Sequence, residues 1–161
     1  MDTLDIMYWA RKHIMDEIEE LKPEDLNRVG VTTKWSIRDV ISHLTSYQWL
    51  LVDALNYVLK KEESTPYLNL MNKDPEKFND IEVEKRKNLT FKEAMDEFEK
   101  AYNKSIELAK EAGEELLRKV GTIPWYGDQY SLEDFIVYAN YGHSESHTEG
   151  IKIFKRKDLK S

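Results

Sequence analysis

The stretch that decides the fold is Ser131-Leu-Glu-Asp-Phe-Ile-Val-Tyr-Ala-Asn-Tyr-Gly-His-Ser-Glu-Ser-His-Thr-Glu-Gly-Ile-Lys-Ile-Phe154. Ser131 followed by Asp134 forms a capping box, which predicts that a helix begins at this point. Apolar residues and two histidines then recur at steps of three and four, so one stripe of the helix carries Leu132, Phe135, Ile136, Ala139, His143, His147 and Phe154. The stretch therefore predicts one amphipathic helix whose core-facing stripe includes both histidines.

His143 and His147 are one helical turn apart, so their rings project from the same side and can bind one metal ion. Such pairs are also common on helix surfaces, where they bind nothing. Gly142, Ser146 and Gly150 flank them, and glycine inside a helix costs up to about 1 kcal/mol relative to alanine. We therefore expect that a closely packed helix or a ligand needs this space.

The composition bounds the class of protein. The chain has 161 residues, of which 40% are hydrophobic, and this predicts a single domain over residues 1–161. A net charge of −7 argues against binding to nucleic acid or to an anionic membrane surface. The lack of cysteine excludes disulfides, thiolate metal ligands and a cysteine nucleophile. With no signal peptide and no apolar run of bilayer length, we expect a cytoplasmic protein.

The pattern of apolar residues predicts an all-helical chain. Glycine and proline are scarce, with six and four residues, and no segment alternates as a strand does. A first helix is predicted over residues 3–21. A second begins after the capping box of Ser36 with Asp39, and a third, capped by Thr90 with Glu93, ends near residue 113.

Two connections between these helices have more than one interpretation. Residues 60–89 are irregular, and so long a connection is either a crossover between bundle helices or a functional lid. Residues 121–130 are rich in aromatic side chains and contain glycine and proline. This loop can cover a pocket, or it can close the end of the helix bundle with Trp125.

A third candidate ligand, His43, lies on the second helix. It is one turn from Val40 and from Tyr47 on a mostly apolar face, so it leans inward. Alone it would more often be a core histidine with satisfied hydrogen bonds. Together with His143 and His147 it provides three imidazoles, which suit Zn, Ni, Cu or Fe and leave a coordination position for water or substrate. His13, on the flank of the first helix, is expected not to be a ligand.

Three motifs follow one another along the chain: Trp35-Ser-Ile-Arg-Asp-Val-Ile-Ser-His43-Leu44, then Phe78-Asn79, then Tyr141-Gly-His143-Ser-Glu-Ser-His147. With them the chain resembles the DinB/YfiT-like superfamily of metalloenzymes, including its ClbS/DfsB-like branch, over nearly its whole length. The resemblance implies a four-helix bundle with up-down-down-up connectivity, which explains a long connection between the second and third helices. It also implies a three-histidine site for a divalent metal ion (Zn, Ni or Fe). Some relatives are transferases or isomerases that use a low-molecular-weight thiol, and others act on reactive small molecules.

The predicted function is that of a metal-dependent enzyme acting on a small molecule. The reaction is either transfer involving a low-molecular-weight thiol or hydrolysis by a metal-activated water. The alternative is a non-catalytic helical bundle that binds a metal or another ligand. Glu145 and Glu149 follow a histidine by two positions and are expected to point away from the metal. Tyr47 is a candidate for contact with the substrate or with a ligand, and equally for core packing.

Exposed aromatic side chains also suggest a partner protein. A helical bundle with tryptophan and tyrosine on its surface has apolar area to bury, so we expect a homodimer. The candidate residues for its interface are Trp9, Trp49 and Tyr57.

Overall fold

A computed structural model describes residues 1–32 and 34–159 of the chain. Along the chain it contains α1 (Thr3–Ile18), α2 (Pro23–Leu26), α3 (Ile37–Val58), α4 (Pro66–Lys73), α5 (Phe78–Lys85), α6 (Phe91–Leu117) and α7 (Leu132–Phe135), then a π-helical segment (Ile136–Gly142) that leads into α8 (His143–Asp158). Over these described ranges no strand forms, and a single bridge joins Val120 to Ser131. The prediction of an all-helical chain is confirmed.

The helices begin where side chains cap their first turn. Ser36, Thr90 and Ser131 each accept a hydrogen bond from the backbone three residues on, and each capping box is complete. A fourth capping box, Asp2 with Asp5, begins α1 and does not figure among the sequence-based predictions. Because a capping box pairs otherwise unsatisfied backbone amides within four residues, helix starts can be read from the sequence.

Helix ends are less well predicted. The first helix ends at Ile18 rather than near residue 21, because Pro23 begins α2 and Lys22 before it is extended. The sequence predicts an end of the third helix near Gly113. Gly113 does leave the helical conformation with a left-handed φ of 77°, but helical structure resumes and continues to Leu117.

Helix α3 is the most buried helix, as the sequence predicts. It packs chiefly against α6, while α1 packs chiefly against α8 and the π-helical segment. Two apolar clusters flank the middle of α3, one around Leu51 and Phe135 and the other around Ile41 and Phe154. Between them α3 carries a belt of buried polar residues, namely Ser42, His43, Thr45, Ser46 and Gln48.

The long connection between α3 and α6 is tied down by buried polar contacts. Asp53 on α3 accepts hydrogen bonds from the backbone N–H of Tyr67 (2.7 Å) and Leu68 (3.0 Å) at the start of α4. After α5, the buried Arg86 donates to Glu82 at 2.9 Å and to Glu97 on α6 at 2.8 Å. These contacts favour the interpretation of residues 60–89 as a crossover over that of a lid.

None of the helices in the described ranges is both long enough and apolar enough to cross a membrane.

Candidate metal centre

The sequence predicts one continuous α-helix for the C-terminal stretch, but the structure interrupts it. Residues Ile136–Gly142 are π-helical, so each backbone N–H bonds five residues back and each turn holds more residues. Leu132, Phe135, Ile136 and Phe154 are buried as the sequence predicts. Between Ile136 and Phe154 the core-facing positions shift, and the buried residues are Asn140, Ser144, Thr148 and Ile151. His143 and His147 lie one position away from this stripe, partly buried beside α3.

The side chain of Ser144 explains how α8 packs against α1. Its hydroxyl donates a hydrogen bond of 3.1 Å to the carbonyl of Ala10. The small residues at this helix contact are therefore Ser144 and Ala10. The flanking positions Gly142 and Ser146 are exposed, so no described helix packs closely against them, and the alternative that a ligand uses this space stays a prediction.

Gly142 and Gly150 differ in what surrounds them. A Cβ atom at Gly142 would lie 3.3 Å from the carbonyl oxygen of Val137, five residues back, because the π-helical turn brings that oxygen close. Glycine suits this position for a local reason. A Cβ atom at Gly150 would meet nothing within 4 Å, so no close neighbour requires glycine there.

His43, His143 and His147 come together in the folded chain. The Nε2 atom of His143 lies 2.8 Å from Nε2 of His43 and 3.1 Å from Nε2 of His147. One ring nitrogen from each residue lies within 4.8 Å of the other two. Two nitrogens that bind one tetrahedral ion at about 2.0–2.1 Å are roughly 3.3 Å apart. The two contacts of His143 are thus within about half an ångström of the spacing that a shared ion requires.

Hydrogen bonds among the three rings cannot satisfy them all. A neutral imidazole nitrogen carries either one hydrogen or one lone pair, and Nε2 of His143 takes part in both short contacts. The Nδ1 atom of His43 is also buried and finds no partner among the described residues. A cation that accepts all three Nε2 lone pairs would resolve the conflict at the centre of the cluster, so the residues present fit a metal ion.

Burial also sets the protonation of these rings. Loss of solvent contact, together with the neighbouring His143 and His147, lowers the pKa of His43 to about 2. Burial and the charge of His147 lower the pKa of His143 to about 4. The pKa of His147 is lowered by burial as well. All three rings are therefore neutral near pH 7, which is the form that binds metals.

Aromatic rings enclose the cluster. The Trp35 ring lies 4.8 Å from that of His43, between centroids. The Tyr47 ring lies 5.1 Å from His43 and 4.4 Å from His143, and Phe78 packs against its other side at 5.6 Å. The partly buried Tyr47 ring therefore packs against Phe78 and two of the histidines, while its contact with a substrate stays a prediction.

Comparison with known proteins identifies the family of this chain. The sequence model of the DinB superfamily matches residues 6–151, a range that contains all three histidines of the cluster. The chain belongs to the DinB superfamily. No curated protein and no solved structure matches it significantly. Membership agrees with the three-histidine arrangement but does not by itself assign a reaction.

The fourth histidine of this DinB-superfamily protein lies apart from the cluster. His13 pairs with Glu145 at 2.5 Å between Nδ1 and Oε1, and its ring lies 5.5 Å from that of Trp9. Glu149 is exposed and pairs with Lys152. Among the described residues, the group with metal-ligand spacing consists of histidines alone, with no carboxylate.

An apolar cleft of about 370 Å³ lies beside the cluster in this DinB-superfamily protein. Tyr47 and Ala139, which border it, also lie next to His143, so Tyr47 separates the cleft from the histidines. Its walls come from α3, α4, the loop before α7, and α7 itself, and include Leu50, Met71, Pro75, Trp125, Tyr126 and Phe135. The sequence predicts that the 121–130 loop can cover a pocket, and Trp125 and Tyr126 of this loop do line the cleft. It does not predict the lining residues from other segments, such as Leu50, Met71 and Phe135.

Proposed function

We propose that this protein is a metal-dependent enzyme that acts on a small molecule, with one divalent ion held by Nε2 of His43, His143 and His147. The observation that carries the proposal is the convergence of these three nitrogens in a buried setting. Membership of the DinB superfamily supports it. Imidazole donors suit Zn, Ni and Fe alike, so the donor set does not select the metal.

The bound ion would act as a Lewis acid that lowers the pKa of a thiol or a water and polarises the substrate. This chemistry serves both candidate reactions, thiol-dependent transfer and hydrolysis. In either, we assign Tyr47 the role of a hydrogen-bond donor to the substrate. Burial raises the pKa of its phenol, so the hydroxyl keeps its proton near neutral pH. Trp35 and Phe78 would hold His43 and Tyr47 in place and exclude water.

A non-catalytic metal-binding or ligand-binding bundle is the second candidate. Among the described residues, the group with metal-ligand spacing contains no carboxylate, and this favours a non-catalytic role. General acid–base catalysis needs a proton-transfer group within hydrogen-bond reach of the reacting atoms. Glu145, the nearest acidic residue in sequence, is paired with His13 instead.

Metal binding is tested on protein prepared without a histidine tag. We expect elemental analysis to find about one divalent ion per chain, or titration with Zn, Ni and Fe(II) to fill one tight site. The variants His43→Ala and His147→Ala should each weaken binding by more than about 100-fold, since loss of a ligand exceeds the effect of losing a supporting contact. His13→Ala is the matched control and should bind as the wild type does. Protein that stays metal-free in all three titrations would refute the site.

Catalysis is tested separately, with the metal-loaded protein. The screen pairs electrophiles with low-molecular-weight thiols and, in parallel, offers esters and amides for hydrolysis. Turnover that disappears in His43→Ala and persists in His13→Ala would support the enzyme. Tight metal binding without turnover of any substrate would favour the non-catalytic bundle.

We also propose that the long helices form a bundle with up-down-down-up connectivity. Two observations support this: α3 packs chiefly against α6 and α1 against α8, and the connection that holds α4 and α5 is long enough to run the length of a helix. An experimental structure in which α3 and α6 run antiparallel would contradict the arrangement.

A further inference from the structure

We propose that the cleft beside Tyr47 binds an uncharged small molecule built around a ring, and that this is the substrate class of the protein. The assignment as substrate rests on the proposed metal-dependent function, whereas the binding itself does not require the metal. Three properties of the cleft support it: its size, its charge and its position.

The size suits a small organic ligand rather than a polymer. A volume of about 370 Å³ lies at the lower end of ligand pockets, which span roughly 300–1,000 Å³. The walls are dominated by rings: Phe135 meets Trp125 at 84° and Tyr126 at 89°, both edge to face, with ring centroids 5.6 and 5.3 Å apart. Such walls favour a ring that can add further edge-to-face contacts.

The lack of charge on its described lining residues makes the cleft unfavourable for ionic ligands. No described residue that lines it is charged, and Asn72 supplies the amide at its edge. A carboxylate or ammonium group moved from water into such walls would lose its hydration without gaining a partner, which is costly. A thiol that carries carboxylates would therefore bind this cleft poorly.

A larger groove of about 600 Å³ next to Trp35 does not compete for the same ligand. It is lined by charged side chains, and these already have partners: Lys34 pairs with Asp80 at 2.7 Å, and Lys87 pairs with Glu84. The apolar cleft is thus the better site for a neutral ring.

The position of the cleft relates it to the metal centre. Tyr47 forms part of its wall and lies 4.4 Å, between ring centroids, from His143. A molecule in the cleft would therefore lie one side chain away from His143, one of the candidate metal ligands. The apolar walls would hold the body of the bound ring, and Tyr47 would lie between it and His143.

The test uses two fluorescent probes with the same ring systems, N-phenyl-1-naphthylamine, which is neutral, and 8-anilinonaphthalene-1-sulfonate, which is anionic. Both are titrated into EDTA-treated protein. We expect the neutral probe to saturate at about one per chain with blue-shifted emission, and the sulfonate to bind at least about tenfold more weakly, a difference of about 1.4 kcal/mol. Equal binding of the two probes, or no saturable binding of the neutral one, would overturn the proposal.

A pair of charge-matched variants locates the bound probe. Asn72 and Asn103 are both exposed, but only Asn72 lines the cleft. Asn72→Lys should strengthen binding of the sulfonate severalfold relative to the neutral probe, while Asn103→Lys should leave the ratio of the two affinities unchanged. Identical effects of the two variants would show that the probe binds elsewhere and would overturn the assignment to the cleft.

The outcome is independent of the metal proposal. Probe binding is measured without metal, so the proposed binding site in the cleft would stand even if Zn, Ni and Fe(II) failed to bind. Equally, a failure of the probe to bind would not affect the proposed metal site. A substrate found in the turnover screen should displace the neutral probe from metal-loaded protein. A substrate that does not displace it would refute the cleft as the substrate site.

Discussion

At the scale of single residues, the buried histidines make the stability of the metal-free protein depend on pH. Burial lowers the pKa of His43 to about 2 and of His143 to about 4, whereas both have a pKa of about 6.5 in the unfolded chain. Below about pH 6.5 the unfolded chain therefore binds protons that the folded chain does not. Stability should fall as the pH falls toward about 4, by up to about 1.4 kcal/mol per pH unit for each histidine.

Urea unfolding of EDTA-treated protein between about pH 7 and pH 4.5 measures this effect. Asp53 acts in the opposite direction, because burial raises its pKa to about 6 and the folded chain then takes up a proton before the unfolded chain does. The comparison of wild type with His43→Gln cancels that contribution, since both proteins contain Asp53. The variant should show the shallower loss of stability toward acid pH. An equal loss in both would contradict the protonation assigned to His43.

At the scale of helices, Arg86 is the residue that attaches the α4–α5 connection to the rest of the protein. It is 2% exposed, and it donates to Glu97 through Nε at 2.8 Å and through a terminal nitrogen at 3.0 Å. Glu82, which is 3% exposed, accepts from it as well. Arg86→Met would leave the buried Glu82 with only its longer contact to Lys85, at 3.5 Å. We expect it to lower the free energy of unfolding by about 3–5 kcal/mol.

Arg11→Met is the matched control for that prediction. Arg11 also makes a two-pronged contact with a glutamate, Glu99, but its side chain is 29% exposed. An ion pair open to solvent contributes at most about 1 kcal/mol. Urea unfolding of both variants provides the comparison, and equal costs would mean that burial does not set the strength of the Arg86 contact.

At the scale of the whole molecule, the homodimer stays a prediction. Of its three candidate residues, Trp9 and Tyr57 are 40% and 45% exposed. Trp49 is only partly available, since its Nε1 donates to Glu97 at 2.9 Å and its ring stacks on Tyr67. Tyr8 is also exposed, and its ring lies beside that of Trp9. The exposed aromatic pair on α1 is therefore the best interface candidate.

Light scattering at micromolar concentration tests that interface. We expect twice the chain mass of 19.1 kDa for the wild type and a single chain mass for Trp9→Glu, because a charge in an apolar contact is costly. Tyr57→Glu on α3 is the control and should stay dimeric. A wild type that scatters as a monomer would exclude the dimer, and a monomeric Tyr57→Glu would move the interface to α3.

The sequence by itself determined the features whose physical cause is local. Capping boxes act within four residues, and apolar periodicity acts within a helical turn, so the starts of α3, α6 and α7 and the all-helical class could be predicted. The choice of His43, His143 and His147 as a set also came from the sequence, through the inward lean of His43 and the one-turn spacing of the other two.

Only the tertiary structure decided how these residues meet. His43 and His143 are 100 residues apart, and their contact depends on the packing of α8 beside α3. The π-helical segment shifted the buried stripe to Asn140, Ser144 and Thr148, and no periodicity count could show this because its backbone bonds depart from the α-helical pattern. The pairing of His13 with Glu145 and the walls of the cleft likewise join distant segments, and such contacts are set by packing rather than by local hydrogen bonds.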